Sequence, residues 1–273
     1  MFHRKEKTAP ISPERALYLR QTKRRRFFIN LTRVGILAAL FGLWEIAGNL
    51  GWIDSFIMSQ PSRILKSLTN LYENGDLLRH IGISCLETIV GFLLGTIIGT
   101  LIATALWWSS FLSRVMEPYL VILNALPKVA LGPIFIVWVG AGPKAIIIMT
   151  LAISLIVTIM EVLNGFMATE EEKIKLMRVY GANKLQIFTK AVLPSNFITI
   201  INSLKINVGL SWVGVIMGEF LVSKAGVGYL IVYGSQVFKM DLVMTSVLLL
   251  AVAAALMYQV VLLLERKIIK NKV

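Results

Sequence analysis

The sequence predicts an all-α membrane protein of about six transmembrane helices. Of its 273 residues 56 % are hydrophobic and only 16 % charged, where a soluble domain carries about a quarter charged residues. Apolar runs of roughly 18 residues or more recur along the chain, the length a helix needs to cross about 30 Å of hydrocarbon. They do not alternate apolar with polar residues as barrel strands do, and lipid offers an open backbone no hydrogen-bond partner.

The first 30 residues are polar and basic, ending in Lys23, Arg24, Arg25 and Arg26. They read as a tail that fixes orientation. The apolar run that follows, about 31–50, is too long for a signal peptide and forms the first span. Next comes a polar stretch whose apolar positions Ile64, Leu65, Leu68, Leu71 and Tyr72 suggest a short amphipathic helix on the outer surface. The second span, about 84–108, carries Gly91, Gly95 and Gly99 in a stripe suited to close helix packing. The third, about 115–139, is interrupted by Pro127, and the fourth covers about 143–166. A charged segment, 170–194, separates it from the fifth, about 196–217. A polar connection then leads to the sixth, about 242–264, and to a basic tail, 267–273. The membrane-embedded body is thus expected at 31–266.

Charge fixes the topology. With the N-terminus inside, the inner segments hold 19 Lys and Arg and the outer connections 6, so both ends are expected in the cytoplasm. The net charge of +13 reflects this distribution. No aromatic-basic interleaving or recognition motif points to nucleic acid. A single cysteine, Cys85, excludes an internal disulfide and most cysteine-based metal sites.

Segment 170–194 carries the mechanism. It reads as two short helices joined at Gly181-Ala182-Asn183, with Gly181 suited to the left-handed conformation that ends a helix. Ile174, Leu176 and Met177 form one apolar face, and Leu185, Phe188 and Val192 another. Pro194 suits the first turn of the following span. The product is a charged helical knob held between two spans.

This knob resembles the cytoplasmic loop of ABC-transporter permeases of the binding-protein-dependent importer type. Gly181 and Leu193-Pro194 stand at that signature's spacing, whereas Lys175, Leu176 and Met177 occupy the positions of its acidic-Ala-Ala opening. The runs from Ala125 to Pro133, Val137 to Gly142, Gly209 to Glu219 and Gly226 to Ile231 are similar to the nitrate, sulfonate and taurine permeases. The resemblance implies a type I ABC importer permease fold in a bacterial inner membrane. It also implies a second permease subunit, expected as a homodimer, a cytoplasmic ATPase dimer carrying ATP and Mg, and an extracytoplasmic solute-binding protein. Lys175, Leu176, Met177, Tyr180, Gly181, Ala182, Leu185, Phe188, Leu193 and Pro194 are then the ATPase-coupling residues. The chain lacks a phosphate-binding Gly-Lys-Ser/Thr loop, so it is expected to be a transport component without cofactor or catalytic activity of its own.

Polar groups within spans are pathway candidates: Asn124, Lys128 beside Pro127, Lys205, Asn207, Ser211, Trp212 and Glu219. Each has a structural alternative. Lys128 pairs with Glu87 or caps carbonyls freed at a broken helix. Lys205 is expected to pair with Glu161, and Glu219 to sit as an outer interfacial carboxylate. Trp212 serves as a gate or an anchor, and Asn124, Asn207 and Ser211 as interhelical hydrogen bonders. Basic groups in the pathway suit a small anion such as a sulfonate, taurine or nitrate. A pyrimidine-like heterocycle is the runner-up, and a stand-alone ion-coupled carrier the alternative class.

Overall fold

A computed structural model describes residues 13–270. The helices are α1 (Pro13–Asn49), α2 (Ser55–Met58), α3 (Pro61–Glu73), α4 (Asp76–Trp108), α5 (Ser110–Ala125), α6 (Gly132–Val139), α7 (Pro143–Met167), α8 (Glu171–Val179), α9 (Lys184–Ile187), α10 (Leu193–Ser195), α11 (Phe197–Val222), α12 (Val227–Gln236) and α13 (Met240–Lys270). No strand occurs among the described residues. Parts of α1, α4, α7, α11 and α13 are long and apolar enough to cross a membrane. A sixth span results if α5 and the 128–139 segment, bent by 85°, count as one. Tertiary contacts divide the chain after Arg63 into two units.

In the first unit, α1 already begins at Pro13, so part of the stretch expected as a basic tail is helical. The remaining tail residues, 1–12 and 271–273, lie outside the described residues. At its other end Glu45 accepts hydrogen bonds from the Ser62 backbone N–H (3.0 Å) and from Gln60 (3.5 Å). A carboxylate on the Ser62 N–H, in the first turn of α3, answers a donor that has no partner inside that helix.

In the second unit α7 lies between α4 and α11. The α4 stripe packs as its spacing predicts. A Cβ on Gly91, Gly95 or Gly99 would stand 2.5, 2.6 or 2.8 Å from Thr150, Ser154 or Thr158 of α7. On the other flank the contact is backbone to backbone: a Cβ on Gly214 of α11 would meet Thr150 Cα at 2.5 Å, and one on Gly218 would meet Ile146 Cα at 2.9 Å. Small residues let helices approach this closely in lipid, where packing replaces the hydrophobic effect as the driving force.

The interruption expected at Pro127 proves to be a complete break. α5 ends at Ala125, a single 3-10 turn spans Lys128–Leu131, and α6 departs in the new direction. Lys128 Nζ donates to the Asn124 carbonyl at 2.9 Å and to its side-chain oxygen at 3.3 Å. Of the two structural alternatives for Lys128, carbonyl capping is the one formed. The pairing with Glu87 is not, because Glu87 is enclosed with Glu219.

Candidate functional site

Two constellations stand at opposite ends of the second unit: a helical knob where α7 ends and α11 begins, and a buried polar cluster at the far end, where α12 lies.

The knob is assembled from local capping chemistry. α8 ends in a Schellman motif: Ala182 N–H bonds the Met177 carbonyl (3.0 Å), Gly181 N–H bonds the Arg178 carbonyl (2.9 Å), and Gly181 takes φ +74°. Two residues later Asn183 opens α9 with a capping box, its side chain accepting from Gln186 N–H while Gln186 returns a bond to Asn183 N–H, both at 2.8 Å. A π-turn over Phe188–Val192 follows, separated from Pro194 by Leu193. Proline lacks the N–H that would close a regular α-turn onto residue 190. The two ends of the segment are joined by Asn196 Nδ2 donating to Thr169 Oγ1 at 2.7 Å.

The coupling candidates divide into two sets. Phe188 is buried, its ring 5.0 Å from Trp107 and 5.4 Å from Phe166. Met177, Ala182 and Leu193 pack partly buried around the same apolar cluster, and Pro194 is exposed beside it. These fasten the knob. Lys175, Leu176, Tyr180, Gly181 and Leu185 face outward, and Val179, at 83 % exposure, joins Tyr180 at 81 % in an uncovered apolar cap. Sequence reasoning grouped Leu176 with Ile174 and Met177 on one face and Leu185 with Phe188 and Val192 on the other. Within each group the structure exposes the leucine and turns the others inward. It also missed Val179 and Lys184, whose ammonium donates to the Trp108 carbonyl and lies over the Trp107 and Trp108 rings.

At the far end, α12 starts with three consecutive N–H groups that its own helix cannot satisfy. Each finds a buried acceptor: Gly226 N–H bonds His80 Nδ1 (2.9 Å), Val227 N–H bonds Ser84 Oγ (2.7 Å), and Gly228 N–H bonds Glu219 Oε2 (2.5 Å). Ser84 then donates to Glu219 Oε1 at 2.5 Å. Glu219, expected at the interface, is therefore 1 % exposed and holds α12 to α4 and α11. The helix N-terminus and the carboxylate complement each other in charge. Gly226 sits at φ +116°, and a Cβ there would overlap the Glu219 carboxyl. The Glu87 carboxyl lies within hydrogen-bonding reach of Glu219, and its Oε2 meets no donor among the described residues. His80, Ser84 and Glu87 were legible as a polar continuation of the glycine stripe, at i, i+4 and i+7.

The remaining pathway candidates do not converge on one site. Asn124 and Pro127 are exposed and Lys128 half-buried at the break, whereas Asn207, Ser211 and Trp212 are buried among the helices. Asn207 donates to Thr96 at 2.7 Å. Lys205 pairs with Glu265 of α13 at 2.8 Å, in place of the expected Glu161. Their side chains are only 19 % and 15 % exposed, and removing one partner of an enclosed pair strands the other charge. Lys205→Ala is expected to cost about 3 kcal/mol, and adding Glu265→Ala to restore much of it. Thermal aggregation of the detergent-solubilised single and double variants measures this.

A multi-span helical membrane protein with a packed, apolar-capped knob between two spans has the architecture of a transporter's membrane subunit. Residues 92–270 match the model of the binding-protein-dependent transport system inner membrane component, and the chain belongs to that family. It is 27 % identical to a Bacillus subtilis protein named as an aliphatic sulfonates transport permease, SsuC, over 85 % of this chain and 84 % of that one. The Escherichia coli SsuC is 28 % identical, covering 85 % and 87 %. The Escherichia coli taurine transport system permease protein TauC is 20 % identical, covering 82 % and 83 %. Among solved structures, a chain of a bacterial ABC transporter involved in the import of the acidic polysaccharide alginate has the same fold. Its TM-score is 0.64 at 14 % identity, over 92 % of this chain and 99 % of that one.

Proposed function

We propose that this chain is the membrane subunit of an ATP-driven importer of small sulfonates, working as a homodimer with a cytoplasmic ATPase dimer and an extracytoplasmic binding protein. The observation that carries the coupling role is the knob itself. It is closed at its base by Thr169 and Asn196, anchored by Phe188, and capped by exposed Leu176, Val179, Tyr180 and Leu185. An uncovered apolar cap on a rigid mount is a docking surface for a protein partner. The surplus of Lys and Arg on the knob side favours a cytoplasmic location for the knob and both termini in a bacterial inner membrane. ATP and Mg then belong to the partner, which supplies the hydrolysis. The two relatives named for aliphatic sulfonates, at 27 % and 28 % identity, favour that class over the heterocycle for which a formylaminopyrimidine transport permease, at 24 %, is named.

The experiment is purification with the partner ATPase and measurement of ATP turnover with and without the binding protein. Leu185→Glu places a charge in the docking cap without entering the core. It is expected to abolish the stimulation by binding protein, a loss of at least about tenfold. Normal transport by Leu185→Glu would sink the coupling assignment, and transport without any ATPase would make the chain a stand-alone carrier. Import of a heterocycle in place of a sulfonate would overturn the substrate class alone.

A further inference from the structure

Glu87 of α4 and Glu219 of α11 are 4 % and 1 % exposed, and their carboxyl groups lie within hydrogen-bonding reach of each other. The two are not equivalent. Glu219 accepts from Ser84 Oγ, Gly228 N–H and Tyr229 N–H at the start of α12, a setting that favours the anion. Glu87 has no such donors, and its Oε2 is buried without a partner. A second anion there would be enclosed, unbonded and set against a like charge.

The neighbours offer no other remedy. His80 accepts the Gly226 N–H at Nδ1, so its ring is neutral. The Ser84 hydroxyl proton is already given to Glu219, and the Cys85 thiol on α4 is a weak donor. Arg79 and Lys224 are exposed, and neither forms an ion pair among the described residues. Lys144 at the start of α7 and Asp241 at the start of α13 are the charged groups those helices bring to this end.

We propose that Glu87 is held as the neutral acid, that its proton is donated to Glu219, and that this proton latches the start of α12. With it in place, α4, α11 and α12 close on one hydrogen-bonded cluster. Because the pair is enclosed, the proton leaves only when the start of α12 lifts and water enters. It passes to that water, and Glu87 becomes an ordinary hydrated carboxylate. Lifting and proton release are one event. The closed state then binds one proton more than the lifted state, so closure is strongest in acid and weakens as pH rises. Above the ordinary carboxylate range the lifted state gains about tenfold per pH unit. His80 acts in the opposite sense: once freed from Gly226 it takes up a proton below about pH 6.5, so the slope of the carboxyl pair stands alone only above that value.

The test uses the full chain in lipid nanodiscs. Infrared spectra at neutral pH are expected to show the C=O stretch of a protonated carboxylic acid that Glu87→Gln removes. Hydrogen exchange read by mass spectrometry follows the latch, as protection factors that divide out the intrinsic pH dependence of exchange. Those of the 226–230 amides are expected to fall about tenfold between about pH 6.5 and 7.5. They are expected to stay level in Glu87→Gln, whose amide donates to Glu219 at every pH. Absence of an acid band that depends on Glu87, or a slope that the substitution leaves unchanged, overturns the proposal. Should Glu87→Gln fail to fold, the slope of the unsubstituted chain decides, and a flat profile overturns the latch.

Discussion

Glu219→Ala is expected to cost about 3 kcal/mol or more and to release the start of α12 from α4. The carboxylate accepts from Ser84 Oγ and Gly228 N–H in a site 1 % exposed, and hydrogen bonds to a charged group contribute roughly 1.5–3 kcal/mol each. Deletion strands both donors in a buried site. Glu219→Gln is expected to lose about half as much. It keeps one carbonyl oxygen, but its amide turns a donor toward either the Ser84 hydroxyl or the Gly228 N–H. The reading is a thermal-aggregation midpoint in detergent, with proteolysis of the 223–239 connection as the local probe. A variant with unchanged midpoint and unchanged proteolysis would show that α12 is held by other means.

Phe188→Ala is expected to uncouple the knob. The ring meets Trp107, Trp108 and Phe166 at 5.0, 6.2 and 5.4 Å. Truncating a buried phenylalanine costs about 3–5 kcal/mol through lost burial and the space left behind. Most of that loss falls between α9 and the ends of α4 and α7, so the spans persist while the knob loosens. ATP hydrolysis by the assembled complex should stop responding to binding protein, and trypsin should cut at Lys184 and Lys190. Phe188→Leu fills much of the space and should retain most of the response. Intact coupling in Phe188→Ala would show that the ring only fills volume.

The sequence carried the fold where a single segment decides its own structure. Apolar runs of spanning length, the four-residue glycine stripe on α4 and the turn at Gly181 are all local signals. The knob's mount was half legible: Phe188 was named, but α8 and α9 are too short for periodicity to tell Leu176 from Met177. Lys205 was assigned to Glu161, because nothing local points to Glu265, sixty positions away. Glu219 was taken for an interfacial residue for the same reason. Its partner Ser84 is 135 positions distant, and the stretch that holds α12 reads in sequence only as a polar connection. The break at Pro127 was legible, but the 85° turn depends on where α5 and α6 find packing. The early start of α1 was missed because a tail rich in Lys and Arg lacks an apolar stripe, although those residues are good helix formers.

Gly214 and Gly218 bring the backbones of α7 and α11 together, while the Thr169–Asn196 bond joins the same two helices through the knob. Two beams bolted toward their far ends and braced at the near end do not slide past each other. A push on the knob is therefore delivered to α7 and α11 as a single torque, and any scissoring between them is forbidden by backbone contact. Compliance has to come from outside that truss, and Pro127, where the chain turns by 85° between α5 and α6, is the joint best placed to supply it.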